Sequence, residues 1–173
     1  FPITVWLRKP EEFDYIVEPD IFHDLFGHVP LLFNPVFADY MQAFGVEGMR
    51  AEGLHALRYL ARLYWYTVEF GLIASTQGLR VYGAGILSSA GETVRALSNP
   101  QPQRIGFALE RVLRTPYTID SYQSIYFVID RFEQLFEVTS QNFAALYAQA
   151  ATAPELPHQH ALEGERCFGP TQA

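Results

Sequence analysis

From about Arg50 to Phe70, apolar residues recur every three or four positions, as Leu54, Leu57, Ala61, Tyr64 and Val68, with Arg58 and Arg62 between them. That period is the buried face of a helix. No other stretch carries it as far, so the fold should be built around one long helix with the two arginines facing water. Shorter signals agree. Asn34-Pro35 reads as a cap with a first-turn proline, and Val36, Phe37, Tyr40, Met41 and Phe44 follow at helical spacing until Gly45 and Gly48. Ser89 with Glu92 fits a capping box and opens a helix that ends before Asn99-Pro100. Asp130 with Glu133 fits a second, opening a final helix through Phe132, Leu135, Phe136, Phe143, Leu146 and Tyr147 to about Ala150. A short helix from about Asp20 to Phe26 should be broken by Gly27 and kept broken by Val29-Pro30. Leu79 to Tyr82, Tyr117 to Tyr122 and Ile125 to Ile129 read as short strands or extended segments. The expectation is a mainly α protein with minor antiparallel β structure, as one domain over residues 1–152. Residues 153–173, with Pro154, Pro157 and Pro170, read as a tail.

A chain of 173 residues buries about two-thirds of its unfolded surface. With 49% apolar and 15% aromatic residues it is not a disordered polypeptide. Its apolar runs are far too short to span a membrane. Phe1-Pro2 opens without the charged-then-apolar pattern of a secretory leader, and the missing initiator Met suggests residues upstream. A lone cysteine, Cys167, fits a reducing, cytoplasmic setting, and a net charge of −7 argues against nucleic acid as a partner.

Glu69 is the residue hardest to explain by packing alone. It lies in Trp65-Tyr66-Thr67-Val68-Glu69-Phe70-Gly71-Leu72, with no Lys or Arg from 65 to 73. A carboxylate there must be exposed, protonated or paired. His23 and His28 are five residues apart, which on an unbroken helix places them about 140° from each other (five steps of about 100°). A break at Gly27 and Pro30 would let His28 turn back. Two imidazoles and one carboxylate without a thiolate suit non-haem Fe(II) better than structural zinc, and such a facial set leaves coordination positions open for O2 and substrate. Asp24 is placed to orient a ligand or bond a polar ring.

Three segments carry a resemblance: Glu18-Pro19-Asp20-Ile21-Phe22-His23-Asp24-Leu25-Phe26-Gly27-His28-Val29-Pro30-Leu31, then Leu63-Tyr64-Trp65-Tyr66-Thr67-Val68-Glu69-Phe70-Gly71-Leu72, then Tyr82-Gly83-Ala84-Gly85-Ile86-Leu87-Ser88-Ser89. In order and spacing they are similar to the pterin-dependent aromatic amino-acid hydroxylases, over the chain as far as about Tyr147. The resemblance implies a catalytic domain lacking its upstream part, and His23, His28 and Glu69 as ligands of Fe(II). It also implies Arg8 on the substrate carboxylate, Trp65 in the aromatic pocket, and Ser88 in support of a ligand histidine. Phe70 would pack near the iron, and Asp24, Ala61 and Tyr64 would lie near a tetrahydropterin such as tetrahydrobiopterin. Ile16, Val17 and Asp24 depart from the residues common in animal members. An apolar Val128, taken as the position where tyrosine-specific members carry Asp, favours phenylalanine. The implied reaction is phenylalanine hydroxylation to tyrosine with O2, the pterin donating two electrons, by a short, bacterial-type, monomeric enzyme.

Alternatives stay open. One is a tryptophan or tyrosine hydroxylase of the same family. Another is a zinc hydrolase using the same three ligands, for which only Asp24 offers a general base. A third is an iron- or amino-acid-binding module without activity. Gly83-Ala84-Gly85 fails as a dinucleotide loop because Ser88 stands at the third glycine position. His158-Gln159-His160 reads as solvated tail, and His55 as a partly buried residue on the long helix.

Overall fold

The computed structural model describes residues 3–171; Phe1, Pro2, Gln172 and Ala173 lie outside them. Its helices and strands, in chain order, are α1 (Pro35–Gly53), α2 (Leu57–Tyr64), β1 (Leu72–Ser75), β2 (Gly78–Val81), α3 (Ala84–Leu87), α4 (Ala90–Leu97), β3 (Gln103–Gly106), α5 (Leu109–Leu113), β4 (Ile125–Ile129), α6 (Glu133–Val138) and α7 (Phe143–Thr152). The sheet runs β2-β1-β4-β3. It is mixed rather than antiparallel: only the β1–β2 hairpin is antiparallel, and β4 pairs in parallel with β1 and β3. Residues 125–129 are buried throughout, as expected of a strand with neighbours on both edges. No helix among the described residues is long and apolar enough to cross a membrane.

The long helix expected over 50–70 is instead three pieces. Helix α1 starts at its cap, where the Asn34 side chain accepts from the Val36 and Phe37 N–H groups, and runs through Gly45 and Gly48 to Gly53. His55 then takes a positive φ of 54°, and Ala56 N–H returns to the Ala51 carbonyl. This is a left-handed helix stop made without glycine. Helix α2 restarts with a rotated face. Tyr59, Leu60 and Leu63 are buried in the main core, whereas Leu54 and Leu57 are exposed. Arg62, expected in water, is buried and donates to the Leu113 carbonyl and to Glu155. After Tyr64 the helix widens into a π turn over Trp65–Glu69. The Thr67 hydroxyl bonds the Leu63 carbonyl at 2.6 Å and Tyr40 at 3.0 Å, a side-chain competition that loosens an α ladder.

The last helix is also divided, into α6 and α7. Tyr117 to Tyr122 forms an irregular loop, not a strand. Beyond Thr152 the chain is held against the domain: Leu156 N–H bonds Arg114, Arg111 pairs with Glu165 at 2.7 Å, and Cys167 bridges Ile105.

Candidate metal centre

Both halves of the centre are built on π turns. In His23–His28 the Val29 N–H reaches the Asp24 carbonyl, five residues back, and in Trp65–Glu69 the Phe70 N–H reaches the Trp65 carbonyl. A ladder that closes i to i+5 puts His23 and His28 one turn apart on one side, which an α-helix forbids. The two histidines therefore meet because the helix is widened, not because Gly27 ends it. Gly27 serves closeness instead. A Cβ there would stand 2.8 Å from the Ala84 Cβ and 3.0 Å from its Cα, so the histidine turn rests directly on α3. Gly83 does the same beneath Glu69: a Cβ would lie 2.7 Å from the Glu69 carbonyl carbon.

The ligand atoms converge. His23 Nε2 lies 3.0 Å from His28 Nε2, Glu69 Oε1 lies 3.2 Å from His28 Nε2, and Glu69 Oε2 lies 3.6 Å from His23 Nε2. Around an ion with bonds of about 2.1 Å, adjacent ligands sit about 3.0 Å apart at right angles and about 3.4 Å apart at the tetrahedral angle. The 3.0 and 3.2 Å separations fall in that range, and the 3.6 Å one, to the second Glu69 oxygen, lies just beyond it, so each imidazole faces one oxygen of the same carboxylate. Among the described residues this is the one group of three or more His, Cys, Asp or Glu side chains so arranged. Of the three options for Glu69, the structure realises the paired one, with 14% of the side chain exposed.

The tautomer of His23 follows from its neighbour. Ser88 Oγ donates to the Ala84 carbonyl at 2.8 Å, so it accepts from His23 Nδ1, also at 2.8 Å. The ring proton is thereby held on Nδ1 and the Nε2 lone pair faces the ligand set. Burial disfavours the imidazolium form of His23 and lowers its pKa, with Glu69 opposing. Asp20 fixes the same turn from below. Its Oδ1 accepts from the His23 N–H at 2.9 Å, and the carboxylate takes Arg8 Nε and Nη2 at 2.9 and 2.7 Å. Those Arg8 bonds hold Asp20 well below the usual carboxylate range against the desolvation that raises it.

A cleft of about 270 Å³ opens onto the triad, lined among others by His23, Glu69, Trp65, Phe70, Tyr15 and Ile119. Trp65 stacks on Tyr117 at 4.5 Å between ring centres and packs on Phe70 at 4.6 Å. Arg8 and Ser88 line a separate cleft of about 330 Å³ with Leu7, Phe13 and Phe22. Ala61 and Tyr64 line a third, with Phe44 and Leu57, and Tyr64 also borders the triad cleft. Burial and the Glu69 carboxylate raise the Tyr64 phenol well above its ordinary pKa. Asp24 is buried and accepts from the Thr4 N–H and hydroxyl at 2.7 and 2.9 Å. Val128 lines none of these clefts. It is buried in β4 opposite Leu72 and packs with Phe70. The aliphatic residues that do line the triad cleft are Ile16, Val17 and Ile119, the last in the loop before β4. Sequence reasoning also missed Asp20, and it missed Tyr15 and Gln123, whose roles depend on partners far along the chain.

A domain of this kind with a two-histidine, one-carboxylate face has the donor set of non-haem Fe(II) oxygenases. The profile of the biopterin-dependent aromatic amino acid hydroxylases matches residues 1–152, and the chain belongs to that family. It is 60% identical over 153 residues to phenylalanine-4-hydroxylase of Chromobacterium violaceum, a match covering 88% of this chain and 52% of that one. It is 56% identical over 165 residues to the Ralstonia nicotianae protein of the same name, covering 95% of this chain and 53% of that one. The crystal structure of the Chromobacterium violaceum enzyme bound to cobalt superposes with a TM-score of 0.92 at 54% identity, over 97% of this chain and 61% of that one. The chain thus spans about half the length of the curated relatives it matches.

Proposed function

We propose that the chain is the metal-bearing part of a phenylalanine 4-monooxygenase, using Fe(II), a tetrahydropterin and O2 to convert phenylalanine to tyrosine. The observation that carries this reading is the convergence of His23, His28 and Glu69 beside an apolar cleft, in a chain 60% identical to a protein named for that activity. Fe(II) with a tetrahydropterin supplies O2 activation and the two electrons that ring hydroxylation consumes.

The chain's own residues supply placement. His23 presents Nε2 because Ser88 holds the proton on Nδ1. Trp65, Phe70 and Ile119 offer flat apolar surface to an aromatic ring and keep water from the metal face. The apolar surface of Trp65, Phe70 and Ile119 supports an unsubstituted aromatic ring as the substrate side chain. Arg8 spends three of its five N–H groups on Asp20 and Ser88 and lines the neighbouring cleft rather than the triad cleft, so a substrate carboxylate would meet only its remaining edge, from the side of that second cleft. Ala61 and Tyr64 on α2, with Asp24 next to the ligand His23, are the residues offered to the pterin. The net charge of −7 supports small-molecule rather than nucleic-acid partners, and the single thiol fits a cytoplasmic setting.

The test is to incubate the chain with Fe(II), tetrahydropterin, O2 and phenylalanine and to quantify tyrosine against pterin oxidised. Equal amounts of the two support the reading. Fe(II) bound with no tyrosine formed, in the chain and in a version extended to the length of its relatives, would refute it.

A further inference from the structure

Glu92 stands in the first turn of α4, where the sequence suggests a capping box with Ser89. The box does not form: the Ser89 side chain makes no cap, and Glu92 turns inward and is fully buried. Its Oε1 accepts from the Tyr126 hydroxyl at 2.5 Å and from the Gln123 N–H at 3.2 Å. Gln123 then engages all its polar groups. Its carbonyl accepts from Arg95 Nε at 3.0 Å and its side-chain oxygen from Trp65 Nε1 at 3.0 Å. Its side-chain amide donates to the Thr118 and Ser121 carbonyls at 3.0 and 3.2 Å. Those two carbonyls flank Ile119, and Tyr15 closes the same loop from the other side, its hydroxyl 3.0 Å from the Ile119 and Ser121 carbonyls.

We propose that Glu92 is a positioning residue for the aromatic wall of the triad cleft, acting through Gln123 on Trp65 and on the loop that carries Ile119. The indole has one donor, so the bond to Gln123 decides how the ring plane of Trp65 is turned. Gln123 keeps that place because a buried N–H must find an acceptor, and Glu92 is the one provided. The choice is costly to the fold. Glu92 Oε2 is buried with no hydrogen-bond partner among the described residues. Burial also lifts the carboxyl to about 6, against the pull of Tyr126, Gln123 and Arg95. Neither Glu92 nor Gln123 lines the cleft, so the effect on substrate is indirect. That Trp65 receives the substrate ring rests on the proposed function; that Glu92 holds Trp65 does not.

The experiment is hydrogen exchange of the Trp65 indole Nε1–H, by 15N NMR on the whole chain with Co(II) titrated in, using the Trp6 indole as internal reference. Glu92→Gln keeps an acceptor at Oε1 and should exchange as the unmodified chain does. Glu92→Ala should exchange roughly tenfold faster or more, with Co(II) affinity unchanged within about twofold. Glu92→Leu combined with Tyr126→Phe removes both partners of one bond, orphans only the Gln123 N–H, and should show the same acceleration if Glu92→Ala does not fold. Unchanged Trp65 exchange in a folded Ala or Leu variant would overturn the proposal, and so would a Gln variant as fast as Ala. If the unmodified chain bound no Co(II), the metal reading would fall while the indole rates still decided the role of Glu92.

Discussion

Replacing Ser88 with alanine separates the ligand histidine from the group that fixes its proton. In the intact protein Ser88 Oγ spends its hydrogen on Ala84 and accepts from His23 Nδ1 at 2.8 Å, with both residues buried. Without that acceptor, the neutral ring can carry its proton on Nε2 and donate it to His28 Nε2, 3.0 Å away. The metal-free protein would then be held by a histidine–histidine bond that occupies the ligand atoms. Binding would have to break that bond and leave a buried Nδ1–H without a partner, a penalty of about 1–3 kcal/mol. At about 1.4 kcal/mol per tenfold, this corresponds to a loss of about 5- to 150-fold in metal affinity, in line with the 10–100-fold typical of outer-shell partners. Stability without metal should fall by less than about 1.5 kcal/mol, since one bond replaces another. Competition titration with Co(II) and urea denaturation on the same samples measure the two quantities. Affinity within twofold of the unmodified chain, or a stability loss as large as the affinity loss, would refute the reasoning.

Other perturbations test separate links. Arg8→Ala leaves the fully buried Asp20 carboxylate without its partner and should cost about 3–5 kcal/mol in denaturant stability, besides weakening amino-acid binding; an unchanged midpoint would deny the ion pair its role. Gly27→Ala forces a Cβ against the Ala84 backbone and should destabilise by about 1–3 kcal/mol and weaken metal binding; stability within 0.5 kcal/mol of the original, read by thermal unfolding, would contradict the close packing. Glu92 binds its proton more tightly folded than unfolded, its pKa raised from 4.5 to about 6. The stability it contributes is complete below about pH 4.5 and is lost as pH rises through 6. That is about 1.5 units at 1.36 kcal/mol each, or about 2 kcal/mol. Glu92→Gln should flatten that part of the stability–pH curve, and denaturation at pH 4.5 and 6.5 reads it.

Legibility in the sequence followed the range of the interactions. The caps at Asn34 and the strand at 125–129 are written locally and formed where expected. The ligand set His23, His28 and Glu69 is legible mainly through the three segments that carry the family resemblance, because residue types and spacing alone leave ordinary packing roles open for each. The failures share a cause. No local signal distinguishes an α turn from a π turn, because the choice rests on tertiary groups such as Tyr40 pulling on Thr67. Glu92 satisfies the pattern of a cap but finds Tyr126 and Gln123, over thirty residues on, which no window of sequence reveals. Reading residues 50–70 as one helix gives α2 the wrong face; the left-handed His55 breaks that run, and Arg62 is buried. Val128 is expected at the substrate from the family resemblance alone, and it lies instead inside a strand that is buried throughout.

Everything proposed for this chain depends on His23, His28 and Glu69 together holding one ferrous ion. Anaerobic dialysis against Fe(II), followed by counting iron per chain in the unmodified protein and in His23→Ala, His28→Ala and Glu69→Ala, tests it most directly. One iron per unmodified chain is expected, and almost none in each variant, with the variants folded by circular dichroism. Iron retained at one per chain by a folded variant lacking any of the three side chains would contradict it.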